Sequence, residues 1–215
     1  TMFNMVSGIY TPTSGQLSYW DRENKVHVIN KANPAHLNKL GIARTFQNIR
    51  LFGNLTVLDN VRIALHNSRI SNPLDVLFRT SRFRRDEQIM TEKVMQLLSL
   101  FKIDGKCREL AKNLPYGEQR KLEIVRALAS NPKLLLLDEP AAGMNPQETH
   151  ELMEMIAFIR REFNLTILLI EHDMKLVMGI CERIMVLNYG KIIASGTPEE
   201  IKSNPQVIKA YLGGE

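Results

Sequence analysis

Lys133-Leu134-Leu135-Leu136-Leu137-Asp138-Glu139-Pro140 is a run of leucines closed by two carboxylates and a proline. Consecutive leucines leave no polar face, so a strand here has to be covered on both sides. A second run, Leu165-Thr166-Ile167-Leu168-Leu169-Ile170, ends in Glu171-His172-Asp173, and a third is Arg183-Ile184-Met185-Val186-Leu187. Segments of helical period separate them. Between the first two runs, Leu152, Met155, Ile156 and Ile159 repeat at i, i+3, i+4, i+7. Short unalternating runs joined by helices predict central parallel strands of an α/β sheet, covered on both faces. Ligands of such sheets bind at the carboxyl ends of the strands. Asp138, Glu139 and His172 therefore face the expected ligand edge.

Outward from this core, the reading changes. Val186 to Tyr189, Gly190-Lys191 and Ile192 to Ala194 predict a hairpin closed by Gly196. Thr197-Pro198-Glu199-Glu200 supplies an N-cap, a proline at the first helical position and acids in the first turn. Short helices finish the chain. From about Leu55 to Ala129 strand signal is almost absent. Thr91 to Leu100 has helical spacing, with Val94, Leu97, Leu98 and Phe101 on one side. Leu122, Val125 and Ala129, flanked by Ile124 and Leu128, mark a second helix. A helical block thus sits inside an α/β protein.

Composition sets outer bounds. Of 215 residues, 44% are hydrophobic, 24% charged and 7% aromatic, values that exclude a disordered or collagen-like chain. No apolar stretch approaches the roughly 18 residues of a membrane span. Thr1-Met2-Phe3-Asn4-Met5 has no positive region ahead of an apolar one and does not read as a signal peptide. Cys107 and Cys181 are too few and too far apart for a disulfide framework or a metal site, and suit a reducing compartment. The net charge of +5 fits a mildly basic cytosolic protein, with nucleic acid or an anionic membrane as the alternatives. Arg79, Arg82, Arg84 and Arg85 around Phe83 read first as a solvated helix start or loop, and second as a segment near lipid headgroups.

Two adjacent carboxylates after four leucines are costly to desolvate, so a cation is expected beside them. A hydrated Mg²⁺ on a nucleotide phosphate fits that need; a strand ending in surface acids fits about as often. Asn113-Leu114-Pro115-Tyr116-Gly117-Glu118-Gln119-Arg120 reads as a glycine-bearing turn feeding a helix N-terminus, where free N–H groups and the helix dipole converge on an anion. Alone it is an ordinary helix start. Arg44-Thr45-Phe46-Gln47 closes a short segment just before the helical block, and a lone glutamine is usually a surface residue.

The order of these elements along the chain is specific as a set, and in it the sequence resembles the nucleotide-binding subunit of an ABC transporter over essentially its whole length. Gln47 resembles the Q-loop, and Leu114-Pro115-Tyr116-Gly117-Glu118 the family signature. Leu134 to Asp138 resembles Walker B, with Glu139 as the following catalytic glutamate. Ala142-Gly143-Met144-Asn145 resembles the D-loop and His172 the switch histidine. Within the family the chain looks most like the ATP-binding protein of branched-chain amino acid importers. The stretches that carry this are Ala43 to Phe52, Asp138 to Pro146 and Ile170 to Met178; the tail Tyr211-Leu212-Gly213 is equally similar to lipopolysaccharide-export ATPases.

The resemblance implies a P-loop NTPase (RecA-like) α/β core with a mostly parallel sheet, residues 1–52 and 131–215. It also implies an inserted all-α subdomain, residues 53–130, that faces transmembrane permease subunits. It implies ATP and Mg²⁺ as cofactors, and a head-to-tail dimer with a second ATP-binding subunit, identical or different. Asp138 and Gln47 would hold Mg²⁺, Glu139 would polarise the attacking water and His172 would bind the γ-phosphate. Pro115, Tyr116, Gly117, Glu118 and Asn145 would meet the nucleotide of the other subunit. A periplasmic binding protein would act indirectly, nucleic acid would play no part, and the subunit would lie on the cytoplasmic face of the inner membrane. Other substrates on the same engine, such as urea, amides or lipopolysaccharide, are the alternative.

Three positions depart from the family pattern. Pro115 replaces the signature serine and removes both a hydroxyl and an N–H. Glu118 stands where a glutamine is usual and is expected to point away from a phosphate. Asn145 replaces the D-loop aspartate. A G-x-x-x-x-G-K-[ST] loop does not occur in the 215 residues. By the resemblance, Thr1 would be the last threonine of that loop, with on the order of 30–40 residues before it. As given, the chain is then expected to be an ATP-binding-deficient fragment.

Overall fold

A computed structural model describes residues 1–65 and 80–211, the Arg82 side chain excepted. In chain order the elements are α1 (Met2–Val6), β1 (Ser18–Trp20), β2 (Val26–Val28), α2 (Pro34–Lys39), β3 (Ile42–Arg44), α3 (Val57–Leu65), α4 (Ser81–Leu100) and α5 (Tyr116–Ala129). There follow β4 (Leu134–Asp138), α6 (Pro146–Glu162), β5 (Thr166–Ile170), α7 (Met174–Ile180), β6 (Ile184–Asn188), β7 (Lys191–Gly196), α8 (Pro198–Lys202) and α9 (Pro205–Tyr211). Among the described residues, no helix is long and apolar enough to cross a membrane.

The leucine run forms the middle strand of a parallel sheet of order β3-β4-β5. Ala43 pairs with Leu135, and Leu135 with Ile167. The run lacks alternation because each face of β4 meets its own core. Leu135 and Leu137 enter a large cluster with Val57, Val61, Val94, Leu98, Leu122, Val125, Leu152 and Ile156. Leu136 points the other way, into a smaller cluster of Phe3, Tyr19, Ile29, Leu37 and Ile42. The helical segment and one face of the sheet thus share a single apolar cluster.

The expected coverage on both faces holds for β4 but not for the other two runs. β5 lies at the sheet's end and is only half-buried, with Thr166 and Ile170 exposed. The third run is not a parallel strand. As β6 it pairs antiparallel with β7, Ile184 opposite Gly196 and Asn188 opposite Lys191, in a separate sheet of two strands. Its side chains alternate between half-buried and exposed. The apolar run was consistent with either fate, and the Tyr189-Gly190 turn decided it. Both residues have positive φ, +46° and +78°, the requirement of a two-residue type I′ hairpin turn.

The described residues of the middle of the chain are helical as expected, with an isolated Thr56–Leu110 bridge; residues 66–79 lie outside them. The expected helix at Thr91–Leu100 starts ten residues earlier, at Ser81, where the Thr80 side chain accepts from the Phe83 N–H. Val94 and Leu98 are buried on it, and Phe101 caps its end. Arg84 and Arg85 lie exposed in its first turns; Arg79, the Arg82 side chain and Leu212-Gly213 lie outside the described residues. The Thr197 cap forms as read, as a capping box with Glu200. The sequence reading did not anticipate the β1–β2 hairpin or α2, whose Asn33 cap accepts from the His36 N–H at 2.8 Å.

Candidate functional site

β4 delivers Asp138 to the carboxyl edge of the sheet, and Glu139 follows in the left-handed region at φ +44°. A glutamate there costs on the order of 1 kcal/mol. The surroundings hold it: the Glu139 N–H extends the ladder to the Ile170 carbonyl at 2.9 Å, and its Oε2 accepts from the Gln47 side-chain amide at 2.7 Å. The His172 ring, 75% exposed, places Nδ1 4.0 Å from the same oxygen, near but beyond hydrogen-bond reach. The structure thus brings Gln47, Asp138, Glu139 and His172 to one edge, Asp138 from the tip of β4 and the others from the loops after β3, β4 and β5.

The cation expected beside the paired carboxylates is present in the chain itself. Arg44 Nη2 lies 2.6 Å from Asp138 Oδ2, while its Nη1 donates to Asn4 Oδ1 at 2.8 Å and Ser7 Oγ at 2.7 Å. Phe3 and Phe46 flank the guanidinium, their ring centroids 5.6 and 4.9 Å away, cation–π distances that support a half-desolvated charge. Arg44 therefore ties α1 to the tip of β4. Thr1 is exposed at the start of α1, and its side chain makes no cap bond.

Glu171 is a further participant. Its side chain is 1% exposed. One oxygen accepts from the Ala141 N–H at 2.8 Å and the other from the His172 N–H at 3.1 Å. A buried carboxylate spent on two backbone donors fixes the loop after Glu139 against the backbone of His172. Sequence reasoning passed over Arg44 and Glu171, although both lie inside the quoted motifs. The available signal was a charge directly at the end of an apolar strand.

At the signature segment, Gly117 lies in the first turn of α5, not in a preceding turn as read; Pro115 is the N-cap and offers no side-chain acceptor. The glycine packs closely: a Cβ there would stand 3.2 Å from Glu148 Oε1, so that side chain would have to shift by a few tenths of an ångström. Tyr116 donates its hydroxyl to the Ala142 carbonyl at 2.9 Å. Glu118 turns onto Lys106, both carboxylate oxygens 2.7 Å from Nζ, and this bond raises the lysine's pKa above its ordinary value. Asn145 spends its side chain on the Glu148 N–H at 2.9 Å, capping α6 while Glu148 returns a bond to the Asn145 N–H. A cleft of about 260 Å³ lies between Pro115, Gly117, Glu118, Met144 and Glu148. Among the described residues, no hydrogen bond joins Pro115, Gly117 or Glu118 to Asp138, Glu139 or His172.

Comparisons with known proteins identify the family. The family model "ABC transporter" matches residues 1–142, and "Branched-chain amino acid ATP-binding cassette transporter" matches residues 191–215. The high-affinity branched-chain amino acid transport ATP-binding protein LivG of Salmonella typhimurium is 44% identical over 213 residues, which are 99% of this chain and 82% of that protein. The corresponding protein BraF of Pseudomonas aeruginosa is 45% identical over 214 residues, with the same coverages. Among solved structures, MJ1267, an ATP-binding cassette of an ABC transporter, superposes with a TM-score of 0.80 at 31% identity, covering 99% of this chain and 83% of that one. Its ADP conformation superposes at 0.79 and 30% identity. By the family model over residues 1–142 and these relatives, the chain belongs to the ABC transporter family as an ATP-binding subunit, an ATPase of the P-loop NTPase fold class.

Proposed function

We propose that this subunit hydrolyses MgATP to drive branched-chain amino acid uptake through a partner permease. The observation that carries the reading is the convergence of Gln47, Asp138, Glu139 and His172 at the end of β4. Glu139 is oriented by the Gln47 amide and takes the proton of the attacking water. His172, exposed at the same edge, donates to the terminal phosphate. Phosphoryl transfer needs chiefly positioning and charge stabilisation, and these groups contribute the part that positions the water and contacts the terminal phosphate.

The donor set fits Mg²⁺. Asp138 commits Oδ2 to Arg44 and leaves Oδ1 without a partner among the described residues. Gln47 gives its amide nitrogen to Glu139 and keeps its carbonyl oxygen for a ligand. Carboxylate and amide oxygens suit this hard cation, and Asp138 and Gln47 would hold it. When bound, the metal neutralises phosphate charge and polarises the transferred group. Arg44 keeps the Asp138 carboxylate aimed at that place.

The α5 start is the complementary half of the site for a second ATP-binding subunit. The N–H groups of Tyr116, Gly117 and Glu118 find no acceptor among the described residues; they and the dipole of a 14-residue helix favour an anion. Pro115 contributes no N–H, so the contact with the partner's nucleotide rests on the residues after it. Asn145 and Thr1 would complete the nucleotide contacts. Residues 53–130 would form the permease-facing subdomain on the cytoplasmic side of the membrane, and residues 1–52 and 131–215 the ATPase core.

The test is ATP-dependent uptake of labelled leucine by vesicles containing the assembled transporter. Parent protein supports uptake, and Glu139→Gln abolishes it. Uptake by that variant at the parent rate, or uptake of urea and not of leucine by the parent, would overturn the reading.

A further inference from the structure

Arg120 has no part in the roles above, yet it is the largest fully buried side chain, 0% exposed. Its Nη1 donates to the Phe46 carbonyl and to Glu123 Oε2, both at 2.8 Å. Its Nη2 donates to the Gln47 carbonyl at 2.8 Å and to the Tyr116 hydroxyl at 3.3 Å. Glu123, equally buried, turns its other oxygen to the Arg50 N–H at 3.2 Å. The pair thus grips the loop after β3 at Phe46, Gln47 and Arg50, from within α5. At the far end of the same network, Tyr116 reaches the Ala142 carbonyl just after Glu139.

We infer that Arg120 is a positioning residue that links the Gln47–Glu139 contact of one nucleotide site to the first turn of α5, which serves the neighbouring subunit's site. The inference rests on the proposed function. Three arguments support it. The guanidinium fork fits two successive carbonyls, geometry that a lysine cannot supply. Gln47 is otherwise an exposed loop residue, and its backbone position decides whether its amide reaches Glu139. The pair is also a poor device for stability alone. Desolvating both charges offsets much of their attraction, and Arg120 Nε is buried without a partner. A displacement of Gln47 toward or away from Glu139 therefore pulls on Arg120, and through Tyr116 on the helix start.

The experiment compares steady-state hydrolysis of MgATP by the assembled transporter for the parent, Arg120→Lys and the double variant Arg120→Met/Glu123→Leu, with urea denaturation of each. The double variant removes both charges together, so its denaturation midpoint stays near the parent's. Its kcat falls about 10- to 100-fold while KM for ATP stays near the parent's, because positioning and not nucleotide binding is lost. Arg120→Lys keeps the charge and loses the second carbonyl, and it falls in the same direction. Adding Gln47→Ala to the double variant costs less than Gln47→Ala costs the parent, since the two are coupled. A stable double variant, or Arg120→Lys, at the parent kcat overturns the inference. Glu139→Gln is the control: hydrolysis surviving in it defeats the proposed function itself, whereas its loss beside a parental kcat for the Arg120 variants defeats the coupling alone.

Discussion

β4 and β6 are both five-residue strands of four apolar residues closed by a polar one, Asp138 and Asn188, and each is followed by a residue held at positive φ, Glu139 at +44° and Tyr189 at +46°. At Tyr189 the strain has a local cause, since a two-residue turn needs it and Gly190 shares it. At Glu139 the chain continues into a longer loop. The unusual backbone there aims a carboxylate at Gln47 and His172. One strand end closes a hairpin on the surface, and the other opens a site. What separates them is the neighbourhood: β4 is flanked by parallel strands and two cores, β6 by a single antiparallel partner. Strain that no turn explains is the better guide to chemistry.

The largest break in this comparison comes from the cores. Leu136→Ala, at a fully buried position, should cost about 2–5 kcal/mol by urea denaturation. Leu187→Ala, at a position 39% exposed, should cost about 0.5 kcal/mol or less. Equal costs would mean that β6 is as enclosed as β4. Next is the loop after Glu139. Asn145→Ala should lose about 1 kcal/mol of stability through the α6 cap, and Asn145→Asp should restore it. Restoration of stability without restoration of hydrolysis would show that Asn145 also serves the nucleotide.

The two positive-φ residues supply a smaller and sharper test. Tyr189→Asn should stabilise the fold by about 0.5–1 kcal/mol and leave hydrolysis unchanged, since asparagine suits that turn. Glu139→Gly should stabilise by a similar amount and remove hydrolysis. A destabilised Glu139→Gly variant would refute the claim that the residue is held under strain for function. The smallest effect concerns Lys106. Its pKa is raised by Glu118, so the pair stabilises fully below the ordinary lysine value of 10.5 and the contribution is lost as pH rises through the raised value. On the alkaline side, denaturation midpoints of the parent should therefore fall relative to those of Lys106→Met above about pH 10.5.

Much of this was legible in the amino-acid order. The leucine run, the Thr197 cap and the helical block follow from local pattern and spacing, whereas the ordered set Gln47, Pro115–Glu118, Asp138–Glu139 and His172 was legible through the resemblance to the ABC family. The partners of those groups were not legible, because they come from distant segments. Arg44 meets Asp138 across 94 positions and Arg120 meets Phe46 across 74. The third apolar run was misjudged for the same reason. Apolar content records that a strand is covered somewhere, and the register with its neighbours decides on which faces. The start of α4 was missed because Ser81 to Met90 lacks the apolar period that revealed its buried second half. Gly117 read as a turn residue because glycine signals turns, whereas here it is helical and packs closely against the Glu148 side chain.

The account's central claim is that Glu139, held at the end of β4, takes the proton from the water that attacks ATP. Single-turnover hydrolysis of MgATP by the assembled transporter carrying Glu139→Gln tests it most directly. The account predicts that nucleotide remains bound as ATP and that the rate falls by about 10²- to 10⁴-fold. Conversion to ADP at the parent rate would contradict it.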